Sequence, residues 1–495
     1  MTELRLGFDG SDVARTAEIP AFARIAELIS AEIRRGRLRP GARLPGSRSL
    51  AEQLGVGRNT VVAAYAELVS EGWLVTRAAG GSFVSDELPE PKTRRFGTRG
   101  AAPAKQAPGF AFEPRALERT YDDPPGMLAL HGGTPDLREF PATAWARAYR
   151  RALGQKQHGN LSYAAPFGQP RLREALGQLV SATRGLAASP DQILVTRGSQ
   201  MALDLLARTL VRPGDRVAVE EIGYQHAWRA LRAAGAELVF IPVDRHGLNV
   251  EALAAEVARA PIRALYVSPH HQYPTTVALP VARRLRLLEL AEKQRFAVLE
   301  DDYDHEFHYD GRPLASLAGA DRAGVVVYVG TLAKVLAPGL RLGFIAAPRT
   351  LIDTLAAVRA DIDRQGDGVL ECAVAELIED GELGRHTRRM KRIYHARRDA
   401  FAELLITHLG DAVKFELPAG GMSLWAEARR GVHVERWLER ARALGVTFTT
   451  GKSYFDPHGA GARAREYARS VRFGFAPYAE KELELAVKRL ARALT

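Results

Sequence analysis

Cysteine is almost absent: Cys372 is the single one in 495 residues. That excludes an internal disulfide framework and any thiolate-rich metal site, and a reducing, cytoplasmic setting is expected. No stretch is long and apolar enough to span a bilayer. The opening, MTELRLGFDGSD, carries acids in place of an apolar signal core, so export is not expected. The histidines, among them His131, His226, His305 and His308, show no metal-ligand spacing, and no metal is expected. Lysine is scarce too; arginine supplies nearly all of the positive charge. What is present is ordinary for a folded chain, 46% hydrophobic and 26% charged residues. The length calls for two to four domains. A net charge of +11 and a pI near 9.8 permit a polyanionic partner without demanding one.

Two patterned regions flank a poor one. Residues 86–125, DELPEPKTRRFGTRGAAPAKQAPGFAFEPRALERTYDDPP, repeat proline, glycine and charge without periodicity and read as a linker. Its cluster Lys92, Arg94, Arg95 and Arg99 reads as a solvated charge run. Before it, Phe22, Ile25, Ala26, Ile29 and Ile33 form one helical stripe that Gly36 and Pro40-Gly41 end. Ser47 is expected to cap a short helix, Ser47–Leu54, that stops at Gly55. A second helix opens at Asn59-Thr60 and runs to Gly72, with Val62, Tyr65, Leu68 and Val69 assigned to the core. WLVTRAAGGSFV then reads as a hairpin around Ala79-Gly80-Gly81. Helix, helix–turn–helix and hairpin together make a winged helix–turn–helix over residues 1–85.

After residue 126 the pattern alternates. Strands are expected at Gln192–Thr196, Arg216–Glu220, Glu237–Pro242, Ala264–Ser268, Phe296–Glu300 and Gly324–Gly330. Helices such as Ser199–Leu210, Gln225–Ala234, Val250–Ala258 and Arg283–Gln294 lie between them. This βαβ alternation argues for an α/β unit with a mainly parallel sheet covered on both faces, its ligands gathered at the carboxyl ends of strands.

In the first region Arg39, Arg43, Arg48 and Arg58 cluster around the turn and helix starts, with Ser47 beside them. Guanidinium forks and helix amides there can meet phosphate oxygens. Arg58, Asn59 and Thr60 begin the helix that would enter a major groove, and Gly80 and Gly81 let the hairpin tip approach the backbone closely. The run GRLRPGARLPGSRSLAEQLGVGRNTVVAAYAELVSEGWLVTRAAGGSFV resembles the GntR-type winged helix nearly end to end, over Ile19 to about Val84. Double-stranded DNA is the partner that this resemblance implies. Gly46 and Gly57 stand where that family often has serine.

The scarce lysine raises a question in YVGTLAKVLAPGLRLGF. Lys334 follows the β-like run Val325–Val329, and Arg341 comes seven residues later. Loop lysines are ordinarily solvated. At the mouth of a sheet, however, an amine can form a Schiff base with a carbonyl cofactor such as pyridoxal 5′-phosphate. That cofactor needs amides, hydroxyls and a guanidinium for its phosphate, a carboxylate for its ring nitrogen and packing for its ring. Gly198, Ser199 and Gln200 open a helix after a strand, and Thr331 and Arg341 add a hydroxyl and a fork. Asp301 and Tyr303 lie just past a strand, the first for the pyridine nitrogen and the second for the phenolate oxygen. Tyr224 is the ring stacker.

From about Leu128 to the C-terminus the chain resembles the fold-type I aminotransferases, which implies an α/β transferase fold with a small C-terminal α/β subdomain. LSYAAPFGQPRLREAL is similar to that family's Y-x-x-P-x-G stretch, which implies that Tyr163 reaches the phosphate of a neighbouring subunit. SPHHQYPTTVALP resembles its active-site loop and implies His271 and Gln272 near the ring oxygen, with Thr276 in place of the usual glycine. SVRFGFAP resembles its late arginine strand and implies that Arg472 clamps the carboxylate of a substrate or effector.

A GntR-type reader joined by a linker to an aminotransferase-like domain of residues 126–495 resembles the MocR family of bacterial transcription regulators. The resemblance implies a head-to-tail homodimer that senses an amino compound, or pyridoxal phosphate itself, through an internal aldimine on Lys334. The alternative is a working aminotransferase with an accessory DNA-binding arm. The basic run Arg385, Arg388, Arg389, Lys391 and Arg392 reads as a solvated helix face, the alternative being a second contact for a DNA-reading domain or for DNA itself.

Overall fold

Alternate residues of a strand point to opposite faces, so a strand buried on both sides must be apolar throughout. Val326–Thr331 is such a strand, and in the computed structural model every one of its residues is buried. Val327 and Val329 feed one apolar core, while Tyr328 feeds another on the opposite face. The structure describes residues 7–14, 19–77, 80–89, 110–112, 123–154, 158–311, 314–456 and 467–494. Lys92, Arg94, Arg95 and Arg99 of the linker, and Ala79 of the hairpin, lie outside the described residues. The chain divides into two compact units, Met1–Leu117 and Glu118–Thr495.

The large unit is built on a seven-stranded sheet. Its order is Ile193–Thr196, Gly343–Ala346, Val326–Thr331, Ala297–Asp302, Ala264–Val267, Arg216–Glu220 and Glu237–Ile241. Neighbouring strands pair in parallel except Gly343–Ala346, which runs antiparallel to both of its neighbours. The strands expected from sequence are all present, with ends within two residues of those expected. Gly343–Ala346 is the addition. It follows Arg341 so closely that a four-residue apolar run carried no signal of its own. Gly343 is required there, because a Cβ would come 2.8 Å from the Gly198 carbonyl carbon and 3.0 Å from the Gly330 oxygen.

A second sheet of five strands, Val413–Phe415, Ser423–Ala428, Ser470–Gly474, Val446–Thr450 and Leu128–Leu130, packs with the helices Glu382–Leu409, Val434–Ala443 and Glu480–Arg492. Phe401, Trp437, Phe448 and Phe473 fill that core, the Trp437 and Phe448 rings 4.8 Å apart. It is the small α/β subdomain, and the strand Ser470–Gly474 at its centre carries Arg472.

The small unit has, after a short helix Gly10–Ala14, helices Ala21–Arg34, Ser47–Leu54 and Arg58–Ser70, then strands Leu74–Arg77 and Gly81–Val84 paired antiparallel. Ile25, Ile29, Leu50, Val61 and Leu68 are its fully enclosed centre. Two sequence expectations fail here. Val62 and Val69 are 47% and 39% exposed, because Val61, Ala64, Tyr65 and Leu68 already complete the inward face of a 3.6-residue period. Ser47 does not cap its helix; Gly46 stands at that position and Ser47 is the first helical residue. Gly36, Gly55 and Gly72 close the three helices with φ of +73°, +63° and +80°, values a side chain would resist. Denaturant melts of the full chain are expected to show Leu68→Ala destabilising this unit by about 2–5 kcal/mol. Val62→Ala is expected to cost less than about 0.5 kcal/mol.

Candidate cofactor site and nucleic-acid interface

In the small unit Arg39, Arg43, Arg48, Arg58 and Asn59 are all exposed and Thr60 is half-buried. The helix Arg58–Ser70 follows Gly57 with no side chain capping its first turn, so a phosphate can approach its start. Arg58 Nε lies 3.5 Å from Ser47 Oγ, so the two helix starts share one face. Tyr65 donates to the Pro45 carbonyl at 2.7 Å and pins the turn between Arg43 and Ser47. Gly81, at φ +95°, lies under Arg43: a Cβ there would come 3.7 Å from its Nε. Gly46 and Gly57 occupy N-cap positions without a hydroxyl to offer.

In the large unit Lys334 leaves the end of the strand Val326–Thr331 through a tight turn in which Thr331 Oγ1 accepts from the Ala333 amide at 3.1 Å. The ammonium donates to the Gly133 carbonyl at 2.6 Å. Burial, and then the charge of Arg472, lowers its pKa from 10.5 to about 8. Asp301, near the end of the neighbouring strand, is buried and accepts from Tyr266 at 2.5 Å through Oδ2. Its Oδ1 is equally buried and has no hydrogen-bond partner. Burial raises this carboxyl to about 6.

The residues assigned to a phosphate converge as well. Gly198 opens the helix Gly198–Leu210 at φ +76°, no side chain caps that helix, and a Cβ at Gly198 would lie 3.2 Å from Arg341 Nη2. Thr331 pairs in register with Gly343, two residues beyond Arg341. Ser199 is half-buried beside them and Gln200 is exposed.

Tyr224 meets the Tyr273 ring edge-on at 5.6 Å, and Tyr273 in turn meets Tyr303 at 6.0 Å. Tyr303 donates to the His271 carbonyl at 3.0 Å. Gln272 donates to the carbonyls of Ile222 and Tyr273 and so fixes the loop rather than pointing a free amide into the cleft. Thr276 holds φ +66° without being glycine, so the loop keeps a left-handed turn at a steric cost of about 1–2 kcal/mol. Tyr163 stands apart, 79% exposed beneath the Arg364 guanidinium.

Arg472 is buried, 4.4 Å over the Tyr273 ring, and its Nε and Nη1 have no hydrogen-bond partner. Three contributors went unread in the sequence. Gly133 receives the lysine; Gly132 must lack a side chain, since its Cβ would meet Arg472 Nη1 at 2.6 Å; Tyr266 holds Asp301. The dipeptide Gly132-Gly133 in HGGTPD was the available signal.

Residues 126–490 match the family described as aminotransferase class I and II, and residues 22–84 match bacterial regulatory proteins, gntR family. The structure of LysN, an alpha-aminoadipate aminotransferase from Thermus thermophilus complexed with N-(5′-phosphopyridoxyl)-L-leucine, is similar with a TM-score of 0.68 and 29% identity. The match covers 75% of this chain and 92% of that one. Two relatives carry the similarity across both units. The probable rhizopine catabolism regulatory protein MocR of Rhizobium meliloti is 36% identical over 88% of this chain and 87% of its own. The HTH-type transcriptional regulator TauR of Rhodobacter capsulatus is 34% identical over 95% and 96%. The chain belongs to the MocR-type transcription regulators.

This MocR-type regulator binds DNA through its GntR-type winged helix, and its large unit has the fold-type I aminotransferase architecture. The cofactor implied by that family is pyridoxal phosphate. The residues present fit it: an orphaned buried carboxylate oxygen for a ring N–H, an uncapped helix start under a guanidinium for a phosphate, and a buried amine. Among the described residues, no helix is long and apolar enough to cross a membrane.

The amine of Lys334 has a pH signature. Between pH 8 and 10.5 the unfolded chain holds a proton there that the folded chain lacks, so this position adds stability as pH rises through that window. Below pH 8 both states are protonated and the burial penalty is complete. In cofactor-free protein, the stability of the natural chain relative to Lys334→Met is expected to climb from pH 8 to 10.5 in denaturant melts. A flat difference would contradict a buried amine.

Proposed function

We propose that the large unit is the sensor of this regulator, with Lys334 as the covalent anchor of pyridoxal phosphate and a small amino compound, or the cofactor itself, as the signal. When bound, the cofactor supplies an aldehyde carbon that can exchange one amine for another and a ring that draws electrons when its nitrogen is protonated. Asp301 holds the proton on that nitrogen through Oδ1, and Tyr266 fixes the carboxylate's orientation. Gly198, Ser199, Gln200, Thr331 and Arg341 take the phosphate dianion. Tyr224 packs the ring, and Tyr303, with His271 and Gln272 behind it, lies toward the ring oxygen. Arg472 grips the acid group of the effector, whose amine competes with Lys334. The observation that carries this reading is Asp301 Oδ1, buried without a partner and close enough to feel the charge of Lys334.

Residues 1–85 are the reader, 86–125 the linker and 126–495 the sensor. Arg39, Arg43, Ser47, Arg48, Arg58, Asn59, Thr60, Gly80 and Gly81 form the DNA face. A head-to-tail homodimer is the assembly that gives Tyr163 a use, since it is 79% exposed and far from saturated by its own chain. Two readers then meet two half-sites. Effector binding needs to shift their arrangement by only about 1–3 kcal/mol. The Nε and Nη1 of Arg472, which have no hydrogen-bond partner, also leave room for a second reading, an active aminotransferase with a DNA-binding arm.

Purified Lys334→Ala protein is expected to lack the visible absorbance of the anchored cofactor; retention of that band would overturn the assignment. In DNA titrations across salt concentrations, Arg58→Ala is expected to weaken binding. If its contact is a phosphate, the log–log salt slope falls by about 1. Rapid amino transfer between common amino and oxo acids, without salt-dependent site-specific DNA binding, would favour the second reading.

A further inference from the structure

Beside the cofactor cleft four histidines are packed into one buried cluster. His270, His271, His305 and His308 are 4%, 2%, 5% and 9% exposed. The His270 ring lies 4.5 Å from His271, 4.3 Å from His305 and 5.5 Å from His308, centre to centre. A buried imidazole nitrogen normally finds a hydrogen bond. Here both nitrogens of His270, Nε2 of His271 and Nδ1 of His308 have none. One nitrogen from each of these three residues lies within 4.8 Å of the others. We propose that His270, His271 and His308 bind a divalent transition-metal ion of the zinc class.

Four observations support the assignment independently of the cofactor reading. His271 Nδ1 is 2.7 Å from Asp304 Oδ1. That carboxylate fixes the tautomer, leaves the Nε2 lone pair outward and supplies compensating negative charge, the usual support of a metal-bound imidazole. Second, His270 has neither ring nitrogen engaged and His308 keeps its Nδ1 unpartnered, so each has a nitrogen to offer an ion. Third, His305 is already committed, with Nε2 3.0 Å from the Thr183 carbonyl and Nδ1 3.1 Å from Asp302. It closes the cluster's far side against Asp302 and Thr183 rather than as a ligand. Fourth, Gly420 faces His271: a Cβ there would come 2.4 Å from Nε2 and cover the coordinating lone pair.

The ligand set also indicates which ion. Three imidazoles without thiolate suit zinc, nickel or copper over calcium or magnesium. Zinc–nitrogen bonds of about 2.0–2.1 Å require the three nitrogens to draw together modestly from their 4.8 Å envelope. A cavity of about 540 Å³ lined by His271, His308, Thr276, Trp425 and Glu427 gives the ion a way in and leaves room for a fourth ligand, water or an exchangeable anion. Bound there, the ion would tie the loop after the strand Ala264–Val267 to the turn after Ala297–Asp302. Those two segments carry Gln272 and Tyr303.

The test uses full-length, tag-free protein stripped with a chelator and titrated with Zn²⁺, and with Co²⁺ as a coloured stand-in. One equivalent per chain is expected, with the strong visible absorption of low-coordinate cobalt. His270→Asn with His308→Gln is expected to abolish stoichiometric binding. Asp304→Asn is expected to weaken it about 10–100-fold. Circular dichroism and the cofactor's absorbance monitor the fold of each variant. Should the double variant misfold, X-ray absorption at the zinc edge of the parent decides: three imidazole nitrogens near 2.0–2.1 Å are expected. No stoichiometric uptake by the parent, undiminished uptake by a folded double variant, or a different ligand set would each overturn the proposal.

Discussion

Lys334 and Asp301 share a buried cleft, yet no ion pair between them appears among the described residues. The ammonium spends its hydrogen bond on Gly133, and the carboxylate spends one oxygen on Tyr266. Each therefore carries a desolvation penalty that its neighbour does not cancel: the amine is pushed down to about 8 and the acid up to about 6. Such a pair is unfavourable in an empty cleft and favourable around a group that brings an aldehyde to one and a ring N–H to the other. The stability of the rest of the fold is what permits this arrangement to persist.

That support comes from the sheet. Thr331 and Asp301 lie at the ends of adjacent parallel strands, with Asp301 in register with Val329, so lysine turn and carboxylate are separated by one strand spacing. The antiparallel strand Gly343–Ala346 then brings Arg341 back across Gly198. Glycine at 132, 133, 198 and 343 removes side chains where the amine, the two guanidiniums and the backbone approach one another. The small unit follows a similar economy: a few fully enclosed residues hold its helices together, and Arg58 is left outside with a partial commitment only.

Most strands of the seven-stranded sheet and the order of the winged helix were legible because each rests on local pattern: unbroken apolar runs, helical stripes, and glycine stops. The assignments of Lys334, Asp301 and Arg341 rested on chemical need at strand ends, and the sheet does gather them. Helix phase was less legible. Val62 and Val69 are apolar, and only the packing of Val61, Tyr65 and Leu68 reveals that their face looks outward. The strand Gly343–Ala346 was invisible because four residues after a turn are too few for periodicity.

The order of residues alone determined two units of different class, arginines clustered around the turn and helix starts of a helix–turn–helix, and one lysine set after a buried strand beside the residue types that pyridoxal phosphate needs. Those are properties of spacing, and spacing is written in the chain. Tertiary structure decided the partners: Gly133 for the lysine, Tyr266 for the aspartate, Tyr273 beneath Arg472. It also drew His270, His271 and His308 into one buried cluster. The physical reason is common to all four. Adjacent parallel strands bring together loops that lie tens to hundreds of residues apart, and no local period records which loop will face which.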